Sequence, residues 1–334
     1  MKKISKILIT FIIIFLCIFS YSYRVNAVEE NIEELEENVE ENEKETVIVT
    51  YDKLTNETTE VNMDEIKQLF GTRNRTLSYE ELYNIPLEDS REHHIRQYFT
   101  IPDSARDISI SKFCRIDGNL DVYPYKYICK VRATQALNGS GFLVGPNLLL
   151  TAAHCVFDST DTDGDRHYFE NWVCYPGYAN GTSVKGLSTG WTKAHYVQNW
   201  MDNAKGDKNS LSVAEDDWCL LELDDYIGNA LPGWIICTSG VTDNTSVDEY
   251  GYPLDERFLP NRLHYTSGNT RSVRQYRFYT NAQTTQGMSG GPILQQSDEY
   301  AVGITQGVLN SENETMAVNI NNTIIDLIVS LMDN

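Results

Sequence analysis

The chain has 334 residues, with 27 basic against 48 acidic side chains for a formal net charge of -21 at pH 7, and it is 41% hydrophobic with 11% aromatics. That content supports a packed core and excludes a wholly disordered chain, while the acidic balance excludes a nucleic-acid surface, which needs clustered Lys and Arg to meet phosphate. No long apolar segment follows residue 23, which excludes a polytopic membrane protein.

In chain order, Lys2, Lys3 and Lys6 precede an apolar run from Ile7 to Ser20, and Val25-Asn26-Ala27 close the segment with small residues. This is the layout of an export signal cut after Ala27, since the apolar run is shorter than the roughly 20 residues of a spanning helix. Residues 1–27, Cys17 among them, are thus expected to be removed, leaving a secreted, extracellular protein with no stable membrane association. Ten Glu and one Lys lie between Val28 and Glu45, a composition that favours a solvated stretch. Residues 46–106 are mixed in charge, with a strand-like patch from Thr46 to Tyr51 and a helix-like patch from Asp64 to Phe70, neither expected to hold a core.

From residue 107 to 334 the chain is dense in Tyr, Thr, Val and Gly, and its short apolar runs are broken by Gly145-Pro-Asn147, Tyr175-Pro-Gly177 and Gly251-Tyr-Pro253. That pattern predicts an all-β domain. No fixed-period repeat suggests a solenoid or propeller. Helical periodicity is clear at the end, where Asn322 would cap Ile324, Ile325, Leu327, Ile328 and Leu331.

Three separated segments supply complementary chemistry. In Gly139 to Val156, two apolar runs flank the Gly-Pro-Asn turn and predict a hairpin, after which Ala152-Ala153 deliver His154 at the end of the second strand. In Glu215 to Leu223, an Asp opens a largely apolar strand, and a half-buried carboxylate there needs a donor such as a histidine N–H. Asp216 is the rival carrier, but Asp217 immediately precedes the apolar run. In Thr284 to Leu294, glycines on both sides of Ser289 permit a tight turn that converges backbone N–H groups near the hydroxyl. A serine is a poor nucleophile unless a base sits beside it and a carboxylate fixes that base, so the three parts make sense together.

The Thr151-Ala-Ala-His-Cys155 run, the Asp217-Trp-Cys-Leu-Leu-Glu-Leu223 strand and the Gly287-Met-Ser-Gly-Gly-Pro292 loop, in the order His, Asp, Ser, resemble the trypsin and chymotrypsin superfamily. Within it the chain is most similar to the secreted bacterial glutamyl endopeptidases, through Val122-Tyr-Pro-Tyr-Lys-Tyr-Ile128, Tyr175-Pro-Gly-Tyr178, Gly251-Tyr-Pro-Leu-Asp255 and Val318-Asn-Ile-Asn321. The resemblance covers residues 107–334. It implies two packed antiparallel β-barrels with a cleft between them, and a secreted serine endopeptidase with peptide or protein substrates, acting as a monomer without a cofactor. His154 would be general base and acid, Asp217 its orienting partner and Ser289 the nucleophile, with the N–H groups of Gly287 and Ser289 as the oxyanion hole. Residues 28–106, between signal and family-like domain, would be an acidic, partly disordered pro-segment of a zymogen, cut at Arg96 or Arg106. The alternative is a catalytically inactive secreted binding protein of the same fold.

The sequence also departs from that family. Met288 stands where trypsin-like enzymes carry the aspartate that receives a freed amino terminus, so activation would use another contact. Glutamate-preferring relatives pair a Thr or Ser five residues before the nucleophile with a His on a later strand; Thr284 matches the first and Thr305 stands in place of the second. Gln283 stands where trypsin has its pocket aspartate. The expected substrate pocket is therefore neutral, lined by Thr284, Thr305 and Gln306, and suited to a polar or small side chain.

Six cysteines outside the signal favour disulfides in an exported protein. Cys155 with Cys174 is the first pairing expected, since it would close the segment after His154. Cys114 with Cys237 is second, because Cys237 lies where chymotrypsin anchors its amino-terminal segment. Cys129 and Cys219 would pair or stay buried as thiols. Asp161, Asp163 and Glu170 fall at the third, fifth and twelfth places of a calcium loop around Gly164, with Ser159 rather than Asp in first place, so the match to a calcium site is partial. His93, His94, His167, His195 and His264 show no metal-ligand spacing and are expected in surface or core roles.

Overall fold

The computed structural model describes residues 46–70, 113–134, 138–157, 168–207, 211–254, 258, 261–309 and 314–332. The export signal, the Glu-rich run 28–45, Arg96, Arg106, His93, His94, His167 and the acidic loop 158–165 lie outside them.

The apolar runs become strands because their residues can be buried on two sides at once. In chain order the strands are β1 (Ile48–Asp52), β2 (Glu57–Glu60), β3 (Cys114–Arg115), β4 (Ile128–Arg132), β5 (Asn138–Leu143), β6 (Leu148–Thr151), β7 (Val173–Pro176), β8 (Trp191–Val197) and β9 (Cys219–Leu223). They continue with β10 (Ser246–Gly251), β11 (His264–Arg271), β12 (Arg277–Thr280), β13 (Pro292–Gln295), β14 (Ala301–Leu309) and β15 (Glu314–Asn319). One antiparallel sheet has the order β2-β1-β8-β9-β6-β5-β4-β7. The other runs β10-β13-β14-β15-β12-β11, closes on itself through β10 and β11, and carries β3 on its rim. The all-β expectation holds, and the second sheet is a six-stranded barrel. The first is an eight-stranded sheet whose outer strands, β2 and β7, do not pair with each other.

The predicted hairpin is β5 and β6, with Phe142 opposite Leu150 and Leu143 opposite Leu149. β9 then lies on the far side of β6, with Thr151 opposite Cys219. This pairing brings the end of β6, where His154 follows, beside the start of β9, which Asp217 precedes.

The strand-like patch near residue 48 does hold a core, contrary to the expectation. β1 pairs with β8 along its whole length, and Ile48 and Val49 are buried. The Thr50 hydroxyl meets His195 Nδ1 at 2.7 Å, so His195 is a core residue tied to β1. Although the surrounding segment is mixed in charge, Val47, Ile48 and Val49 are enough to cover the open edge of β8. The helix Met63–Phe70 follows and packs on the C-terminal helix Asn322–Met332. That C-terminal helix is present as expected, but its cap is Asn321, whose side-chain oxygen accepts the Ile324 N–H at 3.2 Å. Asn322 instead accepts a hydrogen bond from the Ser239 hydroxyl.

Candidate active site

His154 sits in a tight turn, Ala153–Cys155, entered directly from β6. Ala152 and Ala153 are fully buried, and the short side chains let the turn fold against the sheet and present the imidazole at its surface. Both oxygens of Asp217 are taken by this one residue: Oδ1 accepts the His154 backbone N–H at 2.9 Å, and Oδ2 lies 2.6 Å from ring Nδ1. The Asp217 side chain is 3% exposed and that of His154 31%, so the carboxylate is enclosed and the ring reaches solvent. Burial disfavours the charged ring, but Asp217 and Cys155 outweigh it and hold the His154 pKa well above its usual value. Asp216, the rival, accepts a hydrogen bond from Asn199 Nδ2 at 2.6 Å.

The Ser289 loop is fixed by backbone contacts with the first sheet. The Ser289 carbonyl accepts the Ser140 N–H at 2.8 Å and the Cys155 thiol at 3.5 Å, which sets Ser289 beside the residue that follows His154. The Ser140 hydroxyl donates to the Gly287 carbonyl at 2.8 Å and accepts the Tyr252 N–H at 2.9 Å. Gly287 and Gly290 have φ of 94° and 81°, which a side chain resists, and a Cβ on Gly290 would strike the Thr151 hydroxyl and the Ser140 carbonyl. Among the described residues the N–H groups of Gly287 and Ser289 donate to no protein acceptor, so they remain available to a bound oxygen. The Ser289 hydroxyl donates to the Gln306 carbonyl at 3.2 Å.

The predicted pocket residues lie on the other side of this loop. Thr305 of β14 exchanges backbone hydrogen bonds with it, the Gly290 N–H reaching the Thr305 carbonyl at 2.7 Å and the Thr305 N–H the Gly291 carbonyl at 2.9 Å. Thr284 and Thr305 are buried and Gln306 is half-buried. The sequence reading missed Glu249, which is fully buried and whose Oε1 accepts the Thr305 hydroxyl at 3.1 Å. Burial pushes this carboxyl up to about 7, against the Thr284, Thr315 and Thr305 hydroxyls, which favour its charged form. The alternation in β10 could have found it: Glu249 shares a face with the buried Val247 and so points inward.

None of the six cysteines is bonded to another, which corrects both expected pairings. The Cys155 thiol is engaged by the Ser289 carbonyl, while Cys174 lies on β7 opposite Val131 of β4. That register puts Cys174 diagonal to Cys129 on one face of the sheet, and the Cys129 thiol donates to the Tyr127 carbonyl at 3.7 Å. Cys114 pairs with Tyr265 of β11, and Cys237 lies against Ala301 of β14, three strands away around the barrel.

Residues 139–304 match the family model of the trypsin-like peptidase domain. A glutamyl endopeptidase of Bacillus licheniformis is 28% identical over 181 residues, 54% of this chain and 52% of that protein, so the chain matches about half the length of this curated relative. Among solved structures, a Glu endopeptidase in complex with MPD gives a TM-score of 0.55 at 21% identity, covering 67% of this chain and 97% of that one. A protease named Anisep from Arthrobacter nicotinovorans gives 0.51 at 18% identity, covering 63% and 97%.

Proposed function

Because residues 139–304 match the family model of a trypsin-like peptidase domain, we propose that the protein is an exported serine endopeptidase in which His154, Asp217 and Ser289 act as one unit. The observation that carries this reading is the double hydrogen bond between His154 and Asp217, at 2.6 and 2.9 Å, beside a serine loop whose main chain is tied to residues 140 and 155. With Nδ1 committed to Asp217, the imidazole presents Nε2 as the basic nitrogen. The Ser289 hydroxyl turns from the Gln306 carbonyl to Nε2, gives up its proton and attacks the scissile carbonyl. His154 then returns that proton to the departing amine, and water repeats the sequence to free the acid. The N–H groups of Gly287 and Ser289 receive the oxyanion, and losing one such donor costs about 3 kcal/mol of transition-state stabilisation.

Residues 1–27 act in this reading as the export signal and the acidic segment that follows as a pro-segment. The test uses the protein recovered from the medium of a secreting host. It hydrolyses a mixed peptide library, and Ser289→Ala lowers turnover on the order of a millionfold. Hydrolysis retained in Ser289→Ala would overturn the proposal.

A further inference from the structure

Three buried polar atoms beside the Ser289 loop lack a hydrogen-bond partner: Glu249 Oε2, Gln283 Oε1 and the Thr284 hydroxyl. Their residues are contiguous in space. Glu249 is the cross-strand partner of Thr266, whose hydroxyl donates to the Gln283 carbonyl at 2.8 Å, and Thr284 is the next residue in the chain. Thr305 closes the group by donating to Glu249 Oε1 at 3.1 Å. The nearby Thr315 hydroxyl donates to the Ala282 carbonyl at 2.8 Å. The Thr284 hydroxyl carries one proton towards the carboxylate, which leaves Gln283 Oε1 and the remaining carboxylate lone pairs with more acceptors than donors. Buried polar groups are almost always paired, so such a concentration calls for an external partner.

We propose that Glu249 determines the specificity of the substrate pocket, and that the pocket takes a side chain ending in a cationic donor, Arg or Lys, on the acyl side of the cleaved bond. This rests on the proteolytic reading of the Ser289 site. A guanidinium offers five N–H donors and an ammonium three, enough to satisfy Glu249 Oε2 and the two orphaned neighbours together. A glutamate would add acceptors and a like charge, and a small apolar side chain would leave every orphan unpaired. Thr305 stands where glutamate-preferring relatives carry a His, so a potential cation is absent from the wall and an acid lies behind it. Among the described residues no Lys, Arg or His acts on the Glu249 carboxyl. Its elevated pKa reflects that uncompensated burial, and a bound cation would supply the missing charge.

The test compares peptides identical except for Arg, Gln or Glu at the cleavage position, with the mature enzyme from culture medium. The Arg peptide is expected to exceed the Glu peptide in kcat/KM on the order of 100-fold, and Glu249→Gln to reduce the Arg-to-Gln ratio by a similar factor. A preference for Glu, or an unchanged ratio in the variant, overturns the proposal. A second measurement needs no variant: benzamidinium should compete with substrate at least about 10-fold better than neutral benzamide, and equal competition would count against the pocket assignment. Failure to hydrolyse any peptide, with Ser289 unlabelled by a fluorophosphonate, would instead overturn the proteolytic reading, and the pocket assignment would fall with it.

Discussion

At the residue scale, the enclosure of Asp217 sets the behaviour of His154. The carboxylate makes both of its hydrogen bonds to one residue and has little solvent to fall back on, so it fixes the tautomer as well as the charge of the ring. Asp217→Asn should lower turnover by about 10⁴ while leaving the fold intact, as measured by steady-state kinetics with circular dichroism as the control. A general base must be neutral, and the ring's proton affinity is raised. Activity should therefore be lost as pH falls through a value above 6.5, and a pH profile of kcat/KM locates that limb. His264 behaves in the opposite way. It is fully buried, Nε2 has no partner, and burial lowers its pKa to about 4. In the unfolded chain the ring takes up a proton near pH 6.5, whereas the folded state resists it, so stability falls with pH from about 6.5 towards 4. Between pH 7 and 5 this residue alone should cost about 2 kcal/mol in urea unfolding, a loss that His264→Gln would not show.

At the scale of elements, β4 and β7 show how register decides what cysteine spacing cannot. With Val131 opposite Cys174 and Cys129 opposite Pro176, the sheet brings Cys129 and Cys174 together and leaves Cys155 against the serine loop. Treatment of the folded protein with oxidised glutathione should link 129 to 174, and peptide mapping that found 155 bonded to 174 would contradict this register. At the C-terminal helix, Asn321→Ala should destabilise by about 1 kcal/mol, more than Asn322→Ala, because Asn321 carries the cap. The hairpin of β5 and β6, the strand β9 and the C-terminal helix were legible because each pattern is local: a turn between apolar runs, a continuous run, a helical period. β1 was not, since its burial depends on an open edge of β8 more than 140 positions away. The contact of His154 with Asp217 was legible for the same local reason, since each residue stands at the end of such a pattern. Glu249 was not, because it is one of two adjacent acids in a six-residue strand, and which of them points inward shows only through the burial of Val247 two positions before it.

At the scale of the whole molecule, the candidate residues are drawn from both sheets. His154 and Asp217 come from the ends of β6 and β9 in the first sheet, while Ser289 precedes β13 of the barrel. Ser140 joins them, since its N–H, carbonyl and hydroxyl respectively hold Ser289, Thr151 and the Gly287–Tyr252 contact. Truncating it to Ala would strip the buried Tyr252 N–H of its acceptor, a loss of about 1 to 3 kcal/mol in stability, and would loosen the loop at Gly287. The most direct test of the proposed unit of His154, Asp217 and Ser289 is mass spectrometry after reaction with a fluorophosphonate, which marks a serine only when a base activates it. The adduct should appear on the peptide containing Ser289, and labelling should be lost in a folded His154→Ala variant. Labelling at another serine, or at Ser289 with an undiminished rate when residue 154 is alanine, would contradict a shared mechanism.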